Sequence, residues 1–98
     1  LTMGMEKGNC YGVASPFAVQ AKRATGLPVR VCWGKSNVFN KNKWQPHGWT
    51  EIKIGNTWYT FDANAAGNKS RKDVKYYMQK SSSMKKYYKT EGREDIVL

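Results

Sequence analysis

The stretch PHGWTEIKIGNTWYTFDAN, residues 46–64, constrains the fold more than any other part of the sequence. Apolar and polar residues alternate on both sides of Gly55-Asn56, which is the pattern of two β-strands joined by a two-residue hairpin turn. Glycine suits the first turn position because it tolerates a positive φ angle. The pattern therefore predicts a hairpin in which Ile54 pairs with Thr57, and a four-residue loop would keep the same parity.

The same register brings an imidazole close to a carboxylate. It pairs Trp49 with Asp62, and it pairs His47, the only histidine, with Asn64. Paired residues, and residues two positions apart, project from the same face of a sheet, so His47, Trp49 and Asp62 share a face. Asp62 is the diagonal neighbour of His47, at about 7 Å between β-carbons, which permits a hydrogen bond between the side chains. The hairpin thus predicts the base and the orienting acid of a catalytic triad.

A helix with a cysteine near its start precedes the hairpin. In CYGVASPFAVQAKRATGLP, helical spacing predicts one apolar stripe, formed by Cys10, Val13, Ala14, Phe17, Ala21 and Ala24. Gly26 predicts the helix end, because glycine favours the left-handed conformation just after a helix, and Pro28 follows. Two interpretations of Pro16 stay open. Either the helix begins near Cys10 and Pro16 interrupts its hydrogen bonding, or Ser15 is the N-cap and Pro16 the first helical residue.

The other segments give weaker predictions. PVRVCWG predicts a short strand that ends at Gly34, and KSNVFNKNKWQ predicts a polar, basic loop. Further along, AAGNKSRK predicts a loop, DVKYYMQ is either strand or helix, and SSSMKKYYK predicts a short helix with a serine N-cap. Together the segments predict an α+β domain in which one Cys-bearing helix packs on a small antiparallel β-sheet of three or four strands.

Cys10 is the candidate nucleophile that would complete the triad. The N–H groups and the dipole at a helix N-terminus favour a thiolate, and a nearby imidazolium favours it further. On the apolar stripe, Cys10 would face the sheet that carries His47 and Asp62. Cys32 lies inside a predicted strand and is expected to be a buried hydrophobic residue. A disulfide between Cys10 and Cys32 is the alternative to two free thiols.

Composition limits the function classes that the chain can belong to. The 98 residues carry a net charge of +10, and residues 1–64 (8 basic, 3 acidic) and 65–98 (9 basic, 4 acidic) contribute +5 each. Charge spread in this way favours anionic polymers in general, including cell-wall polymers and nucleic acid. No apolar run approaches the roughly 18 residues of a membrane span. One histidine and two cysteines are too few for a zinc site within one chain.

Three sequence blocks resemble the transglutaminase-like superfamily. GNCYGVASPFAVQAKRATGLPVRV is similar to the cysteine helix of that family and its Gly-Leu-Pro-x-Arg continuation, HGWTEI to its His-Ala-Trp-x-Glu strand, and WYTFDAN to its Trp-Tyr-x-x-Asp-Pro strand. The blocks cover residues 8–64 in the family order of Cys, His and Asp, and three blocks in order are a specific signal. VKYYMQKSSSM is similar to a segment that follows the Asp in some bacterial members. The sequence departs from the family pattern at Pro16, Gly48 and Ala63.

The resemblance implies one transglutaminase-like domain over residues 1–98. We expect it to be a fragment of a longer protein, because the helices that usually precede the cysteine are not in it and no signal peptide is visible. The implied activity is thiol acyl transfer at a glutamine side chain or peptide amide. Cys10 would be the nucleophile and the backbone oxyanion donor, His47 the acid and base, and Asp62 the orienter. The alternatives are a cysteine hydrolase of this fold, either protease or deamidase, and a non-catalytic basic binding module of the cell surface.

Expectations for partners and location also come mainly from the resemblance. It implies a protein or peptide substrate, no cofactor or metal, and a monomer at the surface of a bacterial cell or outside it. The positive charge makes an anionic cell-wall polymer a further expected partner. Nucleic acid is not an expected partner, because KYYMQKSSSMKKYYK matches no recognised nucleic-acid module. Trp44 and Trp49 are candidates for lining a substrate cleft, with packing as the alternative role for each. For Asp62, the alternative role is a strand-end cap.

Overall fold

The computed structural model describes the backbone of residues 9–67 and 70–98, and the side chains of residues 16–67 and 70–98. Within these ranges the elements are α1 (Asn9–Thr25), β1 (Val29–Ser36), β2 (Gln45–Ile54), β3 (Thr57–Phe61), α2 (Ala63–Gly67), β4 (Gln79–Lys80), a 3₁₀ turn (Ser81–Ser83) and β5 (Tyr88–Asp95). The strands form an antiparallel sheet in the order β4-β3-β2-β1-β5. The predicted α+β class is confirmed, with five strands where three or four were expected. Neither described helix is long and apolar enough to cross a membrane.

The central hairpin has the predicted turn. β2 and β3 pair with Ile54 opposite Thr57, and Gly55 takes a φ of +65°. Asn56 does not share this conformation, since Met78 is the one described non-glycine residue with a positive φ. A positive φ at the first turn residue alone is characteristic of a type II′ turn, whose twist matches that of antiparallel strands. The turn therefore sets the register of the whole hairpin.

The ladder between β2 and β3 ends earlier than predicted. Its last pair is Thr50 with Phe61, and after Asp62 the chain enters α2. The predicted pairing of His47 with Asn64 is wrong, because Asn64 lies in the first turn of that helix. Asp62 is consequently the residue that joins a strand to a helix.

Helix α1 covers one face of the sheet. It begins at Asn9 and runs through Pro16, which confirms the first of the two interpretations of that proline. Ala18 is fully buried, whereas Ala24 of the predicted stripe is exposed. The stripe is wrong at Ala24 because six residues correspond to about 240° around a helix, so Ala18 and Ala24 face different ways. The first core, between α1 and the sheet, contains Ala18, Val29, Val31, Ile52 and Ile96.

Gly26 ends α1 as predicted. Its N–H donates to the Lys22 carbonyl oxygen at 2.9 Å, and its φ is +69°. A residue with a β-carbon adopts this left-handed conformation at a cost, whereas glycine adopts it freely. The short link from Gly26 to β1 then lets the sheet fold back under the helix.

Gly26→Val should lower the free energy of unfolding by more than about 1 kcal/mol, since a β-branched residue is strained at this φ. No atom lies within 4 Å of the place that its β-carbon would take, so the loss would report backbone strain and not a clash. Gly67→Val is the matched control, because Gly67 has open space around it but no positive φ. Equal melting temperatures for both variants and the wild type, followed by circular dichroism, would contradict the assigned helix end.

Strand β1 continues past its predicted end. It passes through Gly34 and reaches Ser36, and its register with β5 shifts between Trp33 and Gly34. A β-carbon on Gly34 would overlap the Lys89 carbonyl oxygen. The glycine is therefore a point of close approach between two strands. Close approach is a second structural reason for a glycine within a strand, besides a strand end.

Residues 65–98 differ most from the sequence prediction. Residues 65–67 belong to α2 and not to a loop, and DVKYYMQ is neither strand nor helix before Gln79. In place of the short helix, a 3₁₀ turn forms over Ser81–Ser83, and Lys80 precedes it without a side-chain cap bond. Tyr88 then begins β5, an edge strand that was not predicted.

The other face of the sheet carries a second core. Neighbouring residues of a strand point to opposite faces. Val31 contacts α1, so Cys32 points away from it. This second core contains Cys32, Val38, Trp49, Ala65, Val74, Met84 and Tyr88. The segment from residue 74 to residue 88 thus contributes to closing the face that carries His47.

Candidate active site

Asp62 uses both of its carboxylate oxygens. Oδ1 accepts the Ala65 N–H at 3.0 Å, which caps the first turn of α2. Oδ2 accepts two hydrogen bonds, from His47 Nε2 at 2.7 Å and from the Tyr88 hydroxyl at 2.6 Å. The backbone N–H of Asp62 donates to the Tyr76 carbonyl oxygen at 2.7 Å. The fully buried carboxylate is therefore held by donors from β2, β5 and α2.

His47 is held by aromatic rings as well as by Asp62. It lies near the start of β2 and is 1% exposed. Phe39 meets the imidazole edge-on at 5.1 Å between ring centroids. Trp49 and Tyr88 stack against it at 6.2 Å and 6.3 Å. Because a carboxylate only accepts hydrogen bonds, Nε2 carries a proton, and Nδ1 is the nitrogen that can exchange one with a nucleophile.

The predicted contact between His47 and Asp62 is confirmed, although the ladder does not reach it. The expected pair of Trp49 with Asp62 does not form, because β3 ends at Phe61 and the Asp62 N–H turns to Tyr76. The cap considered as the alternative role of Asp62 is also present, at the start of α2. One carboxylate therefore serves both roles, with Oδ1 on the helix and Oδ2 on the imidazole.

Tyr88 belongs to the site, and the sequence did not predict it. Burial and the negative charge of Asp62 raise the pKa of the Tyr88 hydroxyl, so this group stays protonated and donates. Its ring also packs on Trp49 at 4.7 Å between centroids. SSSMKKYYK favoured a helix, and the following KTEGRED is strongly charged. Edge strands commonly carry such charges, and that is the signal that could have indicated β5.

Cys10 lies in the first turn of α1, which agrees with the first of the two interpretations of Pro16. The first four N–H groups of an α-helix have no partner within the helix, and the role of the Cys10 N–H as an oxyanion donor stays a prediction. The Cys10 side chain lies outside the described residues. α1 packs on the face of the sheet opposite to the one that His47 points to, so the approach of the Cys10 side chain to His47 stays a prediction.

Cys32 is a buried structural thiol. It is free, and it lies in β1 opposite Trp49 of β2. Burial raises the pKa of Cys32 far above the usual value, and the nearby Glu51 carboxylate raises it further. The expectation of a hydrophobic role for Cys32 is confirmed, and the alternative of a disulfide with Cys10 is wrong.

The two tryptophans considered for a substrate cleft have different surroundings. Trp49 is 1% exposed and belongs to the second core, where it supports the His47 ring. The cleft role is therefore secondary for Trp49, although part of its ring reaches a cavity described below. Trp44 is half-buried in the loop before β2, with the Lys89 ammonium 4.2 Å from its ring centroid. For Trp44 the cleft role stays a prediction.

Comparison with known proteins gives one family. A family model described as the transglutaminase-like superfamily matches residues 1–63. The matched region runs from before α1 to just past β3, so it includes Cys10, His47 and Asp62 in that order and excludes Tyr88. Comparison with curated proteins and with solved structures found no significant match.

Proposed function

Because the chain belongs to the transglutaminase-like superfamily, we propose that it is a cysteine-dependent enzyme that transfers or hydrolyses acyl groups at amides. The observation that carries this proposal is the buried hydrogen bond of 2.7 Å between His47 Nε2 and Asp62. A histidine with one nitrogen fixed by a carboxylate is the base-and-orienter pair of nucleophilic catalysis. Cys10, at the start of α1, supplies the nucleophile.

In the first half-reaction, the Cys10 thiolate attacks the carbon of a carboxamide, for which we propose a glutamine side chain. A C–S bond forms and the carbonyl oxygen becomes an oxyanion, which accepts a hydrogen bond from the Cys10 N–H. In other enzymes the loss of one such donor costs roughly 3–4 kcal/mol. His47 then gives a proton from Nδ1 to the amide nitrogen, and the C–N bond breaks. Ammonia departs, and the acyl group remains on Cys10 as a thioester.

In the second half-reaction, an amine or water attacks the thioester. His47 Nδ1 takes a proton from the attacking group, a new C–N or C–O bond forms, and the C–S bond breaks to return the thiolate. A lysine amine as acceptor gives an isopeptide cross-link, and water gives deamidation. If the first attack is on a peptide bond, water completes proteolysis. Asp62 stabilises the imidazolium in both half-reactions.

A second candidate function is the binding of an anionic cell-wall polymer without catalysis. The net charge of +10 favours it, because this charge attracts any polyanion. Such a module needs neither a reactive thiol nor an oriented imidazole. Thiol reactivity therefore discriminates between the two functions.

Iodoacetamide at neutral pH should label Cys10 stoichiometrically and leave Cys32 almost unlabelled. The helix N-terminus and His47 favour the thiolate of Cys10. The raised pKa of Cys32 keeps that thiol protonated, and burial keeps the reagent away from it. Timed quenching with peptide mapping by mass spectrometry measures both rates on one sample. Labelling of Cys32 ahead of Cys10 would contradict the proposed enzymatic function and favour the non-catalytic binding function.

Tyr88→Phe should lower kcat about tenfold and leave KM unchanged. The change removes one of the two hydrogen bonds to Asp62 Oδ2, so the carboxylate orients His47 less firmly. A tenfold loss corresponds to about 1.4 kcal/mol, close to the lower limit of the usual range for a hydrogen bond to a charged group. Steady-state kinetics of ammonia release from a glutamine-containing peptide would measure it.

Tyr76→Phe is the matched control for that variant. The Tyr76 hydroxyl donates to the Arg71 carbonyl oxygen at 2.7 Å and does not touch the imidazole or the carboxylate. Its removal should lower stability slightly and leave kcat within about twofold. If the two tyrosine variants lose activity equally, the loss comes from general destabilisation and Tyr88 has no orienting role.

A further inference from the structure

A cavity of about 330 Å³ opens on the sheet face that points away from α1. It is bounded by the β2–β3 hairpin, the 3₁₀ turn and β5, and its apolar part is formed by Trp49, Trp58, Met84 and Tyr88. Sites for small molecules begin at about this volume and combine apolar walls with a few convergent polar groups. His47 stacks against Trp49 and Tyr88 but does not line the cavity. The cavity therefore adjoins the candidate active site, with which it shares Trp49 and Tyr88, but it does not include the imidazole.

Positive charge dominates the walls of the cavity. Three cationic side chains line it, Arg30, Lys85 and Arg93, against one acidic side chain, Glu51, so the lining carries a net charge of +2. Arg30 neutralises Glu51, with Nε at 2.7 Å and Nη2 at 2.6 Å from Oε1. The Arg30 guanidinium also lies 3.8 Å from the Trp58 ring centroid, which holds it in place. Glu51 therefore leaves the charges of Arg93 and Lys85 largely uncompensated.

Arg93 is the cation best placed to receive a ligand. Its Nε lies 3.9 Å from Glu51 Oε1, longer than a hydrogen bond, and its side chain is 50% exposed. A guanidinium presents a planar fork of donors that matches a carboxylate or a phosphate. Neutral hydrogen-bonding side chains also line the cavity, those of Asn56, Thr57, Thr60, Ser81, Ser82 and Thr90. A concave site with excess positive charge concentrates anions beyond the effect of the overall charge.

We propose that this cavity binds a small polar molecule through a carboxylate or phosphate group held by Arg93 and Lys85. The half-buried Trp58 ring contacts the body of the ligand, and the buried Trp49 and Tyr88 rings close the floor of the cavity. The neutral side chains of the lining take the hydroxyl or amide groups of the ligand. Binding here requires neither Cys10 nor His47, although the cavity shares Trp49 and Tyr88 with the candidate active site.

The four tryptophans allow a direct test by NMR. Trp49 and Trp58 line the cavity, whereas Trp33 and Trp44 do not. Acetate and inorganic phosphate would be titrated separately at constant ionic strength, with chloride as the balancing anion. The proposal expects a saturable shift of the Trp58 indole N–H signal, with little change at Trp33 and Trp44. The probe with the lower dissociation constant identifies the preferred group, carboxylate or phosphate.

Arg93→Gln should raise the dissociation constant of the tighter-binding anion at least tenfold, since it removes a charged donor. It leaves the pair of Arg30 and Glu51 intact, so the sheet should fold. Arg23→Gln is the matched control, because Arg23 is an exposed arginine in the last turn of α1 and its loss changes the net charge equally. That control should bind within twofold of the wild type.

Two results would overturn the proposal. One is a linear, unsaturable shift shared by all four indoles, which would mean general screening of a basic protein. The other is equal weakening in Arg93→Gln and Arg23→Gln. If Arg93→Gln does not fold, Lys85→Gln replaces it in the same test, because Lys85 is exposed. Unchanged anion binding in Lys85→Gln would also overturn the proposal.

Discussion

Cys10→Ala should lower the rate of ammonia release from a glutamine-containing peptide by at least about 10⁴-fold. Without the sulfur no thioester forms, and losing the nucleophile of a triad commonly costs this much or more. Alanine is the best helix former, so α1 should remain folded and the melting temperature should change little. A coupled ammonia assay and circular dichroism would measure both quantities. Retention of the wild-type rate would disprove the assignment of the nucleophile.

Cys32→Ala is the matched control, because it makes the same chemical change at the other cysteine. Cys32 is fully buried in the second core, so its loss should lower stability by about 1 kcal/mol. Activity should stay within a few-fold of the wild type. The two cysteine variants would then show opposite patterns, one inactive and stable, the other active and less stable. An inactive Cys32→Ala variant that remains folded would contradict the purely structural role of this thiol.

Asp62→Asn should lower kcat by a factor of roughly 10 to 10³. Asparagine keeps an oxygen for the Ala65 N–H, so α2 stays capped and the fold persists. Its amide N–H₂ replaces Oδ2 and faces His47 Nε2 as a donor. The imidazole must then accept at Nε2 and carry its proton on Nδ1, which is the wrong tautomer for a base.

The expected loss is smaller than the roughly 10⁴ seen for the equivalent change in a serine protease, because a preformed thiolate needs less help from its base. Ammonia release measures kcat, and ¹⁵N NMR of the single histidine reports which ring nitrogen carries the proton. Asp73→Asn is the control. Asp73 pairs with Arg71 at 2.7 Å but its side chain is 64% exposed, and such surface pairs contribute little. Wild-type activity and an unchanged His47 tautomer in Asp62→Asn would remove the basis of the proposed mechanism.

Features that depend on a few neighbouring residues could be predicted from the sequence. Gly55 and Gly26 both have the positive φ that their positions required, and they fix the hairpin register and the end of α1. From that register His47 and Asp62 were expected to be in contact, and the contact forms, although the ladder ends at Phe61 and Asp62 reaches the imidazole from the junction of β3 with α2. Local backbone chemistry therefore accounts for half of the candidate site.

Features that depend on distant residues could not be predicted in this way. The hydroxyl of Tyr88 meets Asp62 across 26 positions of sequence, and no local pattern encodes that contact. The helix that follows Asp62 is five residues long, too short to show a helical repeat. Gly34 was predicted to end β1, but it lies within the strand, because glycine is favoured both at a strand end and where two strands approach closely. For Tyr88 and Gly34 the deciding partner lies in the contacts that β5 makes.

The position of β5 has a consequence for the order in which this protein acquires its chemistry. Residues 1–63 suffice to identify the family, and they contain Cys10, His47 and Asp62, the proposed nucleophile, base and acid. The third donor to the carboxylate nevertheless arrives only when Tyr88 and the rest of β5 pair with β1, which requires closing a loop of some fifty residues. A nascent chain that has already formed its helix and hairpin would therefore hold its imidazole loosely. Full activity is expected to be the last property that folding confers, after the C-terminal edge of the sheet has docked.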